Sequence, residues 1–432
     1  MNRPLNLEED RAPALFCRIF FALSAVMLLL CVFQAFCWLL GLPVGEKLGD
    51  IVSFRRLFFR NGADCFMDFF NSARDAAQGA GAYTERGIIY PPLANFYYFI
   101  VGRLLPDAYL NTSFADRLLA QESFYMMSVA VLFQVLPALL SLYFFRALLC
   151  GRSARTKNAL SLVFLLSYAF LYLFERGNIL LFAFAFLLAF AAYRDSPSRV
   201  KRELSLLALA AAAALKLYPA IFGLFLLRER RFREIGRTVL YFLLLSVLPS
   251  FFFGGPRLVF GALLHNLFSF AGDRSAPASV FTGGTAFPAV WPVLAGFFGV
   301  DLVLQTSFKI LLTTLPVLLF IGCFFLSENR FFGWLSLLGA LLAVPGVGSE
   351  YLVIFAFVPL TCFFEEEETL PPVTRFFAFC LFLLLTVPLP LGFLPDLSLS
   401  AAIVSFLALP GVLALCLCMA CRRVRAMRKE SF

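Results

Sequence analysis

The sequence predicts an all-α polytopic membrane protein, and three observations carry that expectation. Of the 432 residues, 61% are hydrophobic and only 15% are charged, whereas an ordinary soluble domain carries about 25% charged residues. Uncharged apolar runs recur at 19–45, 123–145, 238–256, 275–300, 310–327, 331–349, 376–395 and 397–421. Roughly 18 such residues cross a bilayer as a helix. Phe supplies 56 residues, suited to helices that face lipid and pack by dispersion. An open sheet edge is not tolerated in lipid, so the segments are read as helices.

About twelve apolar segments are visible: 14–40, 91–105, 122–149, 158–174, 177–193, 203–227, 238–253, 304–326, 331–346, 351–364, 374–393 and 397–420. They predict one transmembrane domain over 1–432, a bundle of about 10–12 helices. The first run is long and lacks a small-residue cleavage site, so it reads as a retained helix rather than a signal peptide. Most of the eleven Cys lie inside apolar runs without zinc spacing, as small apolar residues do. The net charge of +9 sits in short loops and the tail, where it orients helices, and it implies no nucleic-acid partner.

Orientation follows from Lys and Arg. The basic tail, 422–432, is expected in the cytoplasm. Counting back places the acidic turn 365–368 inside, 348–350 outside, loop 254–287 outside and the basic segment 228–237 inside. If all five segments from 91 to 227 cross, the basic loops 152–157 and 194–202 fall outside, against the rule. If 91–105 and 203–227 are broken or re-entrant, both move inside. The second solution fits the charges, because Lys216 interrupts 203–227. Half-helices at membrane depth are tolerated where they line a cavity or are buried in protein. Both solutions leave 41–90 on the outer face.

Three features can carry chemistry. In the first outer loop, residues 64–77 suit an interfacial amphipathic helix, with Phe66, Phe69, Phe70 and Ala73 expected toward lipid. Asp64, Asp68 and Asp75 share one face of it, and a merely solvated acidic face is the simplest alternative. Tyr90-Pro91-Pro92-Leu93 then opens a helix, since Pro is tolerated in a first turn. The second feature is Lys216 in Leu215-Lys216-Leu217-Tyr218-Pro219. A Lys inside an apolar segment costs roughly 2.5–3.5 kcal/mol on insertion scales, so it calls for an anion, an aqueous cavity or a snorkelling path to the interface. The third is Glu175-Arg176-Gly177-Asn178, which offers a cation, an amide and backbone donors at a helix start, an anion-friendly arrangement that a plain turn would also produce.

These residues in this order resemble glycosyltransferase family 87, the polyprenyl-phosphate-sugar family of the GT-C type that includes mannosyltransferases. The resemblance runs through Asp68, Tyr83, Tyr90-Pro91-Pro92-Leu93, Leu105-Pro106, Gly177-Asn178, Lys216-Leu217-Tyr218-Pro219 with the basic stretch 228–233, and Ser349-Glu350-Tyr351. It implies a GT-C-like bundle with short interfacial helices in a catalytic outer loop over 41–90. It also implies Asp68 as catalytic base and a multi-pass inner-membrane enzyme with its site on the extracytoplasmic side. Some relatives place a His near the C-terminal outer turn, where this chain has Glu350-Tyr351; its one His, His265, lies in the second outer loop. Asp64 competes with Asp68 for the base role.

The chemistry implied is transfer of a hexose or pentose, mannose-like, from a polyprenyl-phosphate sugar to a lipid or glycan hydroxyl. One carboxylate accepts the hydroxyl proton, cations stabilise the departing phosphate, and direct displacement inverts the anomeric carbon. Asp68 is the expected base. Lys216 and Arg176 are the expected phosphate partners, and Tyr90, Asn178, His265 and Glu350 are expected to line the sugar or acceptor. No metal or other cofactor is expected. The competing reading is a lipid-linked-sugar flippase or secondary transporter, although transporters of that kind usually carry repeated halves and none is visible here.

Overall fold

Long uncharged runs give long helices because a buried or lipid-facing backbone must satisfy its own hydrogen bonds. The computed structural model describes residues 10–53, 65–112, 115–274, 286, 306–344, 350–394 and 397–430. Four described helices are long and apolar enough to cross a membrane: Arg11–Leu39, Phe124–Leu148, Phe232–Phe253 and Leu399–Arg428. The pair Ala154–Leu166 and Tyr168–Arg176, bent by 50°, is apolar and long enough to make a fifth when taken as one span. Shorter apolar helices include Leu180–Tyr193, Ile310–Leu326, Arg330–Leu342 and Pro372–Thr386. Exposed Leu29, Leu39, Leu132, Leu139, Leu318 and Phe376 require an apolar solvent, so the chain is an all-α polytopic membrane protein. Among the described residues the only strands are Gly392–Leu394 and Leu397–Ser398, an antiparallel pair with Gly392 opposite Ser398 and Leu394 opposite Leu397.

The chain forms two compact units. The first comprises Met1–Arg60, Leu149–Tyr172 and Arg274–Phe432. In it, Arg330–Leu342 is buried along its whole length and packs against Thr306–Leu326 and the C-terminal helix Leu399–Glu430. Its first turn is secured by Asn329, which accepts the Phe332 N–H (3.1 Å), and by Glu366, which accepts the Arg330 and Phe331 N–H groups. The basic residues after 421 continue this C-terminal helix to Glu430 rather than leaving it as a separate tail.

The second unit comprises Asn61–Leu148 and Leu173–Asp273. Leu180–Tyr193 is its central helix, buried on nearly every side between Phe124–Leu148 and Arg199–Leu215. Residues 210–214 of the latter are all Ala, which lets helix backbones approach closely.

Two of the twelve apolar segments form helices shorter than the long spans or broken along their length. After Arg199–Leu215 the backbone opens at Lys216 (φ −144°, ψ 128°) and returns as a 3-10 turn, Tyr218–Gly223, and a short helix, Leu224–Arg228. The return is fastened by ion pairs. Arg194 pairs with Glu229, Arg231 with Asp195 (2.6 Å), and Arg237 with Glu203. The basic loops 194–202 and 228–237 therefore meet, and Lys216 stands at the tip of the hairpin between them. The other short segment, Pro92–Gly102, lies along the helix Met67–Ala76. Gly102 sits so close to Ala73 that a Cβ on Gly102 would be 3.3 Å from the Ala73 carbonyl oxygen.

One expectation is corrected. Phe66, Phe69, Phe70 and Ala73 do not face lipid: all four are buried. Phe69 packs on Phe133 (4.7 Å between ring centroids), Phe70 on Tyr109 and Phe66 on Phe174. An amphipathic helix satisfies its apolar face equally well against protein, and here the protein supplies the aromatic surface.

Candidate active site

The site begins with a local clamp. The Phe66 N–H donates to the Glu175 carbonyl at 2.7 Å, which ties the start of helix Met67–Ala76 to the turn 175–178. Gly177 has φ +66°, and a Cβ there would lie 2.9 Å from the Phe69 Cβ and 3.1 Å from the Phe66 ring. Only Gly accepts that backbone and that proximity cheaply. With Phe66 and Phe69 packed over Gly177, the intervening Asp68 meets the side chains on either side of the glycine.

Asp68 receives three hydrogen bonds. Arg176 donates from Nη2 to Oδ1 at 2.5 Å and from Nε to Oδ2 at 3.2 Å, and Asn178 donates from Nδ2 to Oδ2 at 2.7 Å. The Asn178 amide is oriented by its other end, since Oδ1 accepts the Leu180 N–H at 2.9 Å and so caps Leu180–Tyr193. A carboxylate offers about four acceptor positions. Three are taken, which leaves room on Oδ1 for one incoming donor. Asp68 and Arg176 side chains are 17% and 20% exposed, buried enough to be rigid and open enough to be reached.

Tyr90 forms the next wall. Its hydroxyl lies 3.5 Å from Asn178 Nδ2, and its carbonyl accepts from the Tyr83 hydroxyl at 3.0 Å and from Asn95 Nδ2 at 3.4 Å. Lys216, at the tip of that hairpin, holds Nζ 4.0 Å from the centre of the Tyr90 ring, a cation–π distance. Asn266, on helix Pro256–Arg274, donates to the carbonyls of Tyr83 (2.9 Å) and Ile88 (3.0 Å) and secures the loop that carries Tyr90.

The structure thus brings Asp68, Arg176, Asn178, Tyr90 and Lys216 together. Arg176, expected as a phosphate partner, instead has its fork on Asp68. Asp75, on the same helix, pairs with Arg74 at 3.2 Å; burial pushes its carboxyl above the usual range, opposed in part by Arg74. His265 is exposed on the helix that carries Asn266, and it has no hydrogen bond to the cluster. Glu350 belongs to the other unit, where it is fully buried and accepts from the Tyr168 hydroxyl at 2.7 Å. Asp64 lies outside the described residues. Among the described residues, no three His, Cys, Asp or Glu side chains gather as metal ligands.

Asn95, Gln134 and Asn266 escaped the sequence reading. Asn95 and Gln134 are amides inside apolar stretches, where a polar side chain usually has a specific partner, and Asn266 follows His265 in the loop expected outside. Asn95 and Asn266 hold carbonyls of the Tyr90 loop, and Gln134 donates to the Asn178 carbonyl at 3.4 Å.

No curated protein and no solved structure matches the chain. A family model described as Glycosyltransferase family 87 matches residues 89–346, more than half of the 432. The match begins after Asp68 and includes Tyr90, Arg176, Asn178, Lys216 and His265. On that match the chain belongs to glycosyltransferase family 87.

Proposed function

We propose that this membrane glycosyltransferase takes a hexose or pentose, mannose-like, from a polyprenyl-phosphate carrier and transfers it with inversion to a hydroxyl of a lipid or glycan acceptor. The observation that carries the reading is convergence. Four residues from within the family match form a chain of contacts to one carboxylate: Arg176 and Asn178 donate to Asp68, the Tyr90 hydroxyl lies at Asn178, and Lys216 lies over the Tyr90 ring.

In the proposed reaction Arg176 and Asn178 orient Asp68. The vacant position on Oδ1 accepts the proton of the acceptor hydroxyl as its oxygen bonds to the anomeric carbon. The bond from that carbon to the carrier phosphate breaks and its electron pair leaves on a phosphate oxygen. Lys216, whose Nζ lies over the Tyr90 ring, stabilises the developing charge. Displacement in one step, with no second carboxylate as nucleophile, inverts the anomeric centre.

The outer face of the inner membrane is the proposed location. Helix Phe232–Phe253 starts beside the Arg237–Glu203 pair and ends with Phe253 against Tyr83, 5.7 Å between ring centroids. It is about 33 Å long at 1.5 Å per residue, enough to span the roughly 30 Å hydrocarbon core. That length supports an Asp68 cluster across the membrane from the Arg-rich loops, since positive loops stay in the cytoplasm.

The test is a donor panel. Purified protein incubated with polyprenyl-phosphate mannose, glucose, galactose and arabinose, plus a membrane-extract acceptor, is expected to release free polyprenyl phosphate from one of them. Turnover of nucleotide sugars with none of the lipid-linked sugars would contradict the reading.

A further inference from the structure

A second candidate site lies in the other unit. Where Thr306–Leu326 turns into Arg330–Leu342 and both pack on the C-terminal helix, a cavity of about 210 Å³ opens. Its floor is formed by Phe332, Ser336 and Cys416, with the Ser336 hydroxyl 3.4 Å from the Cys416 sulfur. Its mouth carries Arg422 and Arg423. Arg423 pairs with Glu328 at 2.6 Å, and Glu328 also lines the mouth. Arg422 is exposed and has no ion pair among the described residues. Arg425 and Arg428 follow on the same helix, both exposed. The mouth is thus net positive even after Glu328 is counted.

Its depth is set by the helix. Residues 399–421 carry no charge and, at 1.5 Å per residue, extend about 34 Å, close to the roughly 30 Å thickness of the hydrocarbon core. Arg422 and Arg423 therefore stand at the level where lipid phosphates lie. An apolar floor toward the core and a cationic rim at the headgroup level match one ligand chemistry, a phospholipid with a net negative headgroup. Basic pockets between membrane helices hold such headgroups. A zwitterionic lipid gains little from the rim, and a free phosphate gains nothing from the floor.

We infer that this cavity binds an anionic phospholipid, at residues distinct from those of the Asp68 cluster. The full chain, in detergent micelles, is titrated with phosphatidylglycerol, phosphatidylcholine or inorganic phosphate and examined by native mass spectrometry. Phosphatidylglycerol is expected to bind at least tenfold more tightly than phosphatidylcholine. The double variant R422Q/R423Q is expected to reduce that preference by roughly tenfold or more, since each charge at the surface contributes appreciably to attraction. Ala420→Trp, which fills the cavity and keeps every charge, is expected to reduce it as well. Equal binding of the two lipids would overturn the inference. So would a preference that survives Ala420→Trp, because the attraction would then belong to the basic surface. Phosphate binding as strong as that of the lipid would reassign the site to a simple anion.

Discussion

Asp68→Asn is expected to lower turnover by at least 10²-fold while donor binding persists. General-base catalysis contributes about 10²–10⁴-fold, and Asn cannot take the hydroxyl proton. The substitution also turns an acceptor into a partial donor facing Arg176 and Asn178, which now approach at 2.5–3.2 Å, so the side chain loses its orientation as well as its basicity. The donor phosphate is held by a different residue in this account and loses an anionic neighbour, so its affinity should stay level or rise. Asp75→Asn is the comparison on the same helix. Its effect is expected in thermal stability, through the weakened Arg74 pair, with turnover per folded molecule little changed. Turnover assays and thermal melts of both variants separate the two roles.

Lys216→Met should weaken donor binding by roughly ten- to a hundred-fold, the equivalent of about 1.5–3 kcal/mol for a lost charge-assisted contact. Met keeps the length and apolar stem of Lys, so the hairpin tip should still pack. The fastening of that hairpin lies elsewhere, in the Arg194–Glu229, Arg231–Asp195 and Arg237–Glu203 pairs, and is untouched. Lys216→Arg is expected to recover part of the affinity. A well-folded Lys216→Met protein with normal donor affinity would leave Lys216 as no more than the cation over the Tyr90 ring.

The positions of the helices were legible because charge-free runs have a direct physical meaning in lipid. The run at 397–421 is the core of Leu399–Glu430, and 123–145 is the core of Phe124–Leu148. Lys216 was legible as a break for the same reason. What periodicity leaves open is the partner of an apolar face. Phe66, Phe69 and Phe70 follow one pattern whether they meet lipid or Phe133, Tyr109 and Phe174. The same holds for ion pairs between distant residues. Arg176 lies 108 positions from Asp68, and nothing local marks a loop cation as the partner of that carboxylate rather than of a ligand phosphate. The glycine between Arg176 and Asn178 was the available signal, since a turn that needs φ > 0 under two phenylalanines also fixes its neighbours.

The central claim is that a hydroxyl deprotonated by Asp68 displaces the carrier phosphate in one step. The measurement closest to it is the anomeric configuration of the transferred sugar, read by NMR of the product formed by the wild-type protein from a donor of known configuration. Inversion is the expected result, because in this account Asp68 acts as a base and the hydroxyl attacks the anomeric carbon directly. Retention of configuration would contradict the account, since it requires two successive displacements through a glycosyl-enzyme intermediate.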